Sequence, residues 1–169
     1  LEACGASVRV VKSPEDLRHL DGLVLPGGES TAISKLVYLA GLIEPLKGLI
    51  ERGLPVWGTC AGAIMLCTGG IFPFLQAEIV RNAYGPQLYS TLAQGEFMGR
   101  TIPMIFIRAP RIIRVGLDIA ILGRRQNETV ALRKGPLLAT AFHPELSQDL
   151  TVTRYFLDMA REGHKSFYA

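Results

Sequence analysis

Apolar residues fall in two rhythms along this chain. Short continuous runs, Leu23-Val24-Leu25, Val56-Trp57 and Leu137 to Phe142, end in Pro, Gly or His. Runs of that length read as buried strands. Longer stretches carry helical spacing. Helices are predicted over Thr31 to Leu39 and Leu42 to Arg52, broken near Gly41 and closed by Gly53. Another is predicted over Ala61 to Cys67. The last runs from Gln148 to Arg161, with Val152, Tyr155, Phe156 and Met159 as its apolar stripe. Ser7 to Val11 alternates as a strand does. Ser13-Pro14-Glu15-Asp16 starts a short helix, with serine as cap and proline in the first turn. Leu1 to Gly5 reads as a helix end with its glycine cap. The middle, Ile79 to Ile107, is strand-rich and irregular. Strands follow at Leu117 to Leu122 and Thr129 to Arg133, with a turn at Gln126-Asn127 between them. The tail Gly163 to Ala169 is expected to be poorly ordered. Strands that alternate with helices predict an α/β fold, a mostly parallel sheet with helices on both faces. Chemistry in such folds sits beyond the C-terminal ends of strands. Gly28, Cys60 and His143 all fall there.

Composition narrows the class. At 169 residues, 49% apolar, the chain suits a single domain with a sizeable core. The net charge of +3 is modest. Arg108, Arg111, Arg114, Arg124, Arg125, Arg133 and Lys134 lie close in sequence, but no aromatic interleaving accompanies them. A solvated face or the rim of a protein contact fits them better than a nucleic-acid site. Cys4, Cys60 and Cys67 are odd in number and unpaired as C-x-x-C. That suits a reducing compartment and argues against a disulfide framework or a zinc site. No apolar run is long enough for a transmembrane helix.

Three segments carry chemistry. In Gly58-Thr59-Cys60-Ala61-Gly62 a strand ends in one thiol flanked by small residues, and a helix follows. That is the layout of a nucleophile elbow, known with serine in G-x-S-x-G. A thiolate there would gain from the helix N-terminus, and the Ala61 N–H can face a developing oxyanion. A buried structural cysteine satisfies the same pattern. The second segment is His143-Pro144-Glu145. A thiol nucleophile needs a base, and the base an orienting group. His143 and Glu145 have the right types, but an i, i+2 pair in extended chain faces opposite ways. They meet only if the chain bends after the strand; otherwise His143 is a loop histidine beside a solvated glutamate. The third is Pro26-Gly27-Gly28-Glu29-Ser30-Thr31. Its glycines expose N–H groups before a helix capped by Ser30 or Thr31, a place for an anion or oxyanion. A plain turn is the alternative, and no Gly-Lys-Ser/Thr follows to make it a phosphate loop.

Taken in order, these segments resemble one family. They are joined by Arg81-Asn82-Ala83-Tyr84-Gly85 and Phe106-Ile107-Arg108-Ala109-Pro110. Together they are similar to the glutaminase subunits of pyridoxal 5′-phosphate synthase, class I glutamine amidotransferases with a Cys-His-Glu triad. The likeness runs from Leu1 to about Arg161. It implies a flavodoxin-like three-layer sandwich and glutamine hydrolysis in the cytoplasm without cofactor or metal. It implies Cys60 as nucleophile, His143 as proton carrier and Glu145 as its support. Gly28, Glu29, Ser30, Arg81, Ile107 and Arg108 would contact L-glutamine, with the N–H groups of Gly28 and Ala61 at the oxyanion. The ammonia would pass to a synthase subunit in a hetero-oligomer, for vitamin B6 synthesis. Neither nucleic acid nor membrane is implied as a partner.

The chain departs from that pattern in places. The family has a strand, a Gln-Gly loop and most of a helix before the segment that opens here at Leu1. Pro86 stands where the family has arginine. The segment between Cys67 and Glu78 is short and lacks a Gly-Leu-Met-Asp pattern, and Leu88 to Met104 diverges. Two other readings stay open on the residues alone. One is a different cysteine-elbow amidotransferase or peptidase of the same fold. The other is a binding domain without activity.

Overall fold

The computed structural model of the chain describes residues 1–81 and 91–167. In chain order the elements are β1 (Leu23–Leu25), α1 (Ser30–Leu39), α2 (Ile43–Glu51), β2 (Val56–Thr59) and α3 (Ala61–Leu66). Then come β3 (Ala77–Val80), β4 (Thr91–Phe97), β5 (Arg100–Phe106) and β6 (Arg111–Val115). β7 (Ala120–Arg125), β8 (Glu128–Lys134), β9 (Leu137–Thr140) and α4 (Thr151–Phe167) complete the series.

β2 and β9 are buried at every residue. Strands without a polar face must be covered on both sides, and they lie next to each other inside a seven-stranded sheet of order β1-β2-β9-β8-β7-β4-β5. β1 runs parallel to β2, and β2 parallel to β9, with Leu25 opposite Gly58 and Gly58 opposite Ala139. Side chains alternate across β2. Gly58 points at α3, since a methyl group on its Cα would stand 2.5 Å from the Gly62 carbonyl. Trp57 therefore points to the other face, where its ring meets Phe156 of α4 at 5.5 Å. α3 and α4 thus cover opposite faces, and the α/β class and its layers are those read from the pattern.

The expectation of parallel strands holds for the three that end at the candidate site. The pairings from β9 outward to β5 are antiparallel. For three of these four pairings the reason is local: two-residue turns join β4 to β5, β7 to β8 and β8 to β9, and so short a connection can only reverse the chain. Met98 and Gly99, with φ of 50° and 76°, make the first of these. Gln126, with φ of 53°, takes part in the second, at the turn expected from sequence. β3 and β6 form a separate two-stranded sheet.

Several boundaries differ from the sequence reading. Ser7–Val11 is not a strand. Val8 and Val10 are 46% and 73% exposed, and the segment enters no ladder. Alternation alone cannot make a strand whose N–H and C=O groups have no neighbouring strand to pair with. β6 escapes the sequence reading because arginines flank Ile112-Ile113. The strand expected at Leu117 starts at Ala120. The last helix begins at Thr151 rather than Gln148, and it continues through Phe167, so most of the tail expected to be poorly ordered is helical. Tyr168 and Ala169 lie outside the described residues, as do Asn82 to Gly85, Pro86 and residues 87–90.

Candidate active site

Cys60 sits between β2 and α3 with φ of 48° and ψ of −101°. A side-chain-bearing residue reaches positive φ at a cost in strain, and only when its surroundings hold it there. Two glycines make this possible. A methyl group at Gly58 would collide with the Gly62 carbonyl, and one at Gly62 would stand 2.0 Å from the Leu25 carbonyl oxygen. The first turn of α3 therefore presses directly on β2 and the end of β1. The Cys60 N–H donates to Thr140 O at 2.7 Å, which ties the apex to β9. The residue is 5% exposed. α3 spans six residues, less than two turns. Its dipole is correspondingly short.

β9 delivers that imidazole. After Thr140 the chain leaves the sheet. The Ala141 N–H donates to Val130 O and the His143 N–H to Ile105 O, both at 2.8 Å. Pro144 then opens a single 3-10 turn, Pro144–Leu146. This is the bend that an i, i+2 pair requires, and it sets His143 Nδ1 2.7 Å from Glu145 Oε1. With Nδ1 engaged, Nε2 remains for Cys60. The hydrogen bond with Cys60, and after it the one with Glu145, raises the His143 pKa to about 10, against the opposing effect of burial. Both bonds favour the protonated ring. Cys67 contrasts with this arrangement. It is buried among apolar groups, and burial pushes its thiol up to about 12.

The loop Pro26 to Glu29 closes the site from the β1 side. Gly28 has φ of 138°, a conformation that favours glycine. Glu29, not Ser30 or Thr31, caps α1. Its carboxylate accepts the Thr31 N–H at 2.9 Å and the Ala32 N–H at 2.6 Å. Those two bonds hold its pKa below the usual value, with a smaller contribution from Arg81. Glutamate reaches the N–H groups two and three residues on just as shorter caps do, while Ser30 is buried as the first helical residue. Arg81 Nη1 lies 3.4 Å from Thr31 Oγ1, so this cation comes to the same loop. On the far side the Ile107 carbonyl stands 3.9 Å from Cys60 Sγ. Arg108 is exposed and has φ of 44°. Ala61 occupies the first position of α3, where an N–H has no partner within the helix.

The fold therefore gathers Cys60, His143, Glu145 and the Ile107 carbonyl in one place, with Glu29 and Ser30 where the adjoining loop enters α1 and the Arg81 side chain reaching Thr31 there. Gly27 also belongs to the site, which the sequence alone does not single out. A methyl group on its Cα would lie 2.4 Å from His143 Cε1 and 3.5 Å from Cys60 Cβ. The paired glycines are the available signal, and from sequence they speak only of exposed N–H groups. Three of the downstream basic residues are paired with carboxylates. Arg111 pairs with Glu128, Arg114 with Glu78 and Lys134 with Asp118. Among the described residues, no group of three or more His, Cys, Asp or Glu is placed to hold a metal ion.

A solved crystal structure of a glutamine amidotransferase matches this chain with a TM-score of 0.88 and 38% identity, over 94% of this chain and 89% of that one. The structure of PurLQS from Thermotoga maritima shares the fold, with a TM-score of 0.61 at 14% identity over 90% of this chain and 82% of that one. The first of these, a glutamine amidotransferase, gives the class of protein to which the chain is similar. Within it, residues 1–162 match the SNO glutamine amidotransferase family, and the chain belongs to that family. Its relatives include the pyridoxal 5′-phosphate synthase subunit PdxT of Geobacillus sp. (strain WCH70), 44% identical over 96% of this chain and 89% of the relative. The protein of that name from Pseudothermotoga lettingae is 43% identical, over 92% and 84% respectively.

Proposed function

We propose that the chain is a glutaminase that hydrolyses L-glutamine to glutamate and ammonia and supplies the ammonia to a synthase subunit making pyridoxal 5′-phosphate. The observation that carries this reading is the convergence of Cys60 and His143 beside Gly27, with Glu145 on the ring, in a member of the glutamine amidotransferase family. The named synthase subunits among its relatives support the pathway.

The chemistry follows from the proton's position. In this reading His143 takes the thiol proton and Cys60 attacks as the thiolate so formed. The sulfur attacks the side-chain amide carbon of glutamine, and the carbonyl π pair moves to oxygen. The N–H groups of Gly28 and Ala61 are the proposed donors to that oxyanion. Collapse expels ammonia, which takes the proton of His143, and leaves a glutamyl thioester. His143, now neutral, removes a proton from water as the water attacks the thioester, and glutamate leaves. Glu145 keeps Nδ1–H in place throughout. Arg81 is assigned to the substrate carboxylate. Gly28, Glu29, Ser30, Ile107 and Arg108 are assigned to the pocket wall. Glu29 serves there with a carboxylate that also caps α1.

The chain acts in this reading as one amidotransferase domain, in a hetero-oligomer with its synthase, in the cytoplasm. No helix among the described residues is long and apolar enough to cross a membrane. The test is ammonia release from L-glutamine with and without a pyridoxal 5′-phosphate synthase subunit. Release is expected to rise with the synthase and to vanish in Cys60→Ala and in His143→Asn, each folded by circular dichroism. Turnover retained in either variant refutes the assignment of the triad. Equal turnover of other amides refutes the substrate.

A further inference from the structure

We propose that Gly27 is a positioning residue, whose lack of a side chain lets the His143 imidazole lie against the β1 loop with one nitrogen toward Cys60 and the other on Glu145. The inference rests on the proposed function for its catalytic consequence, but not for its geometry.

The requirement for glycine at position 27 is not a backbone requirement. Gly28 has φ of 138°, whereas Gly27 is not among the residues with positive φ. An alanine at 27 is compatible with the chain's own path. What excludes it is the ring. A methyl group there would stand 2.4 Å from His143 Cε1 and 2.9 Å from Nδ1. Ordinary contact begins near 3.4 Å, so the ring or the loop must yield by about 1 Å. The loop has little freedom, because Pro26 has a fixed φ and Leu25 next to it is laddered to Gly58. The ring is the part that moves. Cε1 is the carbon bonded to both ring nitrogens, so pressure on it displaces Nδ1 and Nε2 together. One displacement therefore disturbs the 2.7 Å bond to Glu145 and the bond to Cys60 at once. The His143 side chain is 10% exposed, which leaves it no open space to swing into without leaving the site.

The test compares wild type, Gly27→Ala, His143→Ala and the double variant. Glutamine turnover is measured with the synthase subunit present. In Gly27→Ala kcat is expected to fall about 100-fold, the size associated with a misplacement near 1 Å, while KM stays within about threefold. Two readouts need no glutamine. The rate of Cys60 alkylation by iodoacetamide at pH 7, followed by mass spectrometry of the peptide, should fall about tenfold as the imidazolium is displaced. The urea midpoint should drop in Gly27→Ala against wild type, yet the same substitution should cost nothing when His143 is already alanine. If Gly27→Ala does not fold at all, the double variant is expected to fold, and its failure to do so overturns the inference. So does an equal loss of stability with and without the ring, or an unchanged alkylation rate in a folded Gly27→Ala. Should wild type release no ammonia while alkylation and stability respond as described, the proposed function fails and the role of Gly27 stands.

Discussion

Replacing Glu145 by glutamine tests how the imidazolium is held. The substitution keeps an acceptor oxygen of the same reach but removes the charge. Glu145 Oε1 lies 2.7 Å from His143 Nδ1, with side-chain exposures of 46% for the glutamate and 10% for the histidine. A hydrogen bond to a charged group contributes about 1.5–3 kcal/mol and a neutral one about 0.5–1.5, a difference of about 1–1.5 kcal/mol. The half-exposed carboxylate places the value at the lower end. Since about 1.4 kcal/mol corresponds to one pH unit, the His143 titration should move down by about one unit. The assay is the ring C–H resonance of His143 against pH, assigned by its disappearance in His143→Asn. The midpoint is expected near 10 in wild type, where Cys60 and Glu145 both bond the ring, and clearly lower in the variant. Stability follows with a definite sign. The folded value exceeds the ordinary 6.5, so the proton's contribution is complete below pH 6.5 and is lost as pH rises through about 10. In Glu145→Gln that loss should begin at lower pH. An unmoved midpoint would refute the reasoning, because it would mean that Cys60 and packing hold the imidazolium without the carboxylate.

Three further outcomes are expected. Gly62→Ala, whose methyl would meet Leu25 O at 2.0 Å, should destabilise the chain by about 1–3 kcal/mol, as overpacking does; urea unfolding followed by the single tryptophan checks this, and a change below about 0.5 kcal/mol contradicts the close packing of the elbow. Glu29→Gln should lower the melting temperature at pH 7, since the ionised carboxylate caps α1. Glu29 has a lowered pKa, so its contribution is present above pH 4.5 and lost as pH falls; the difference from wild type should disappear in acid, and a difference that persists there contradicts the cap. Cys67, with its thiol pushed up to about 12, should resist alkylation in the folded chain at pH 7–8 while Cys60 reacts; mass spectrometry of the labelled peptides decides, and labelling of Cys67 at the rate of Cys60 would contradict its burial.

Legibility from sequence varies with the range of the interactions involved. β1, α1, α2 and α3 can be bounded within a residue or two, because their signals are local: a short apolar run, helical spacing, a terminal glycine. The Ser13 cap of the 3-10 helix Pro14–Leu17 is equally readable, and both its side-chain and backbone bonds to Asp16 are present. Ser7 to Val11 misleads because alternation describes one strand and says nothing of its neighbour. β6 is hard to see because arginine side chains extend from a strand as easily as from a loop. Glu29 reads from sequence as a substrate contact, and its role in the cap emerges only from the fold, since a carboxylate can do both.

What the sequence by itself determined is the chemistry available at each point: a thiol between small residues, a proline that bends the chain between His143 and Glu145, two glycines at the end of a strand. These depend on neighbours within a few positions, and covalent connectivity holds such neighbours together in any fold. Only the tertiary structure decided which of them meet. β1, β2 and β9 come from distant parts of the chain, and their parallel register brings the ends carrying Gly27, Cys60 and His143 side by side. The need for glycine at 27 follows from that juxtaposition, because it arises from the close approach of Gly27 to the His143 ring and to Cys60, groups that the chain alone leaves far apart.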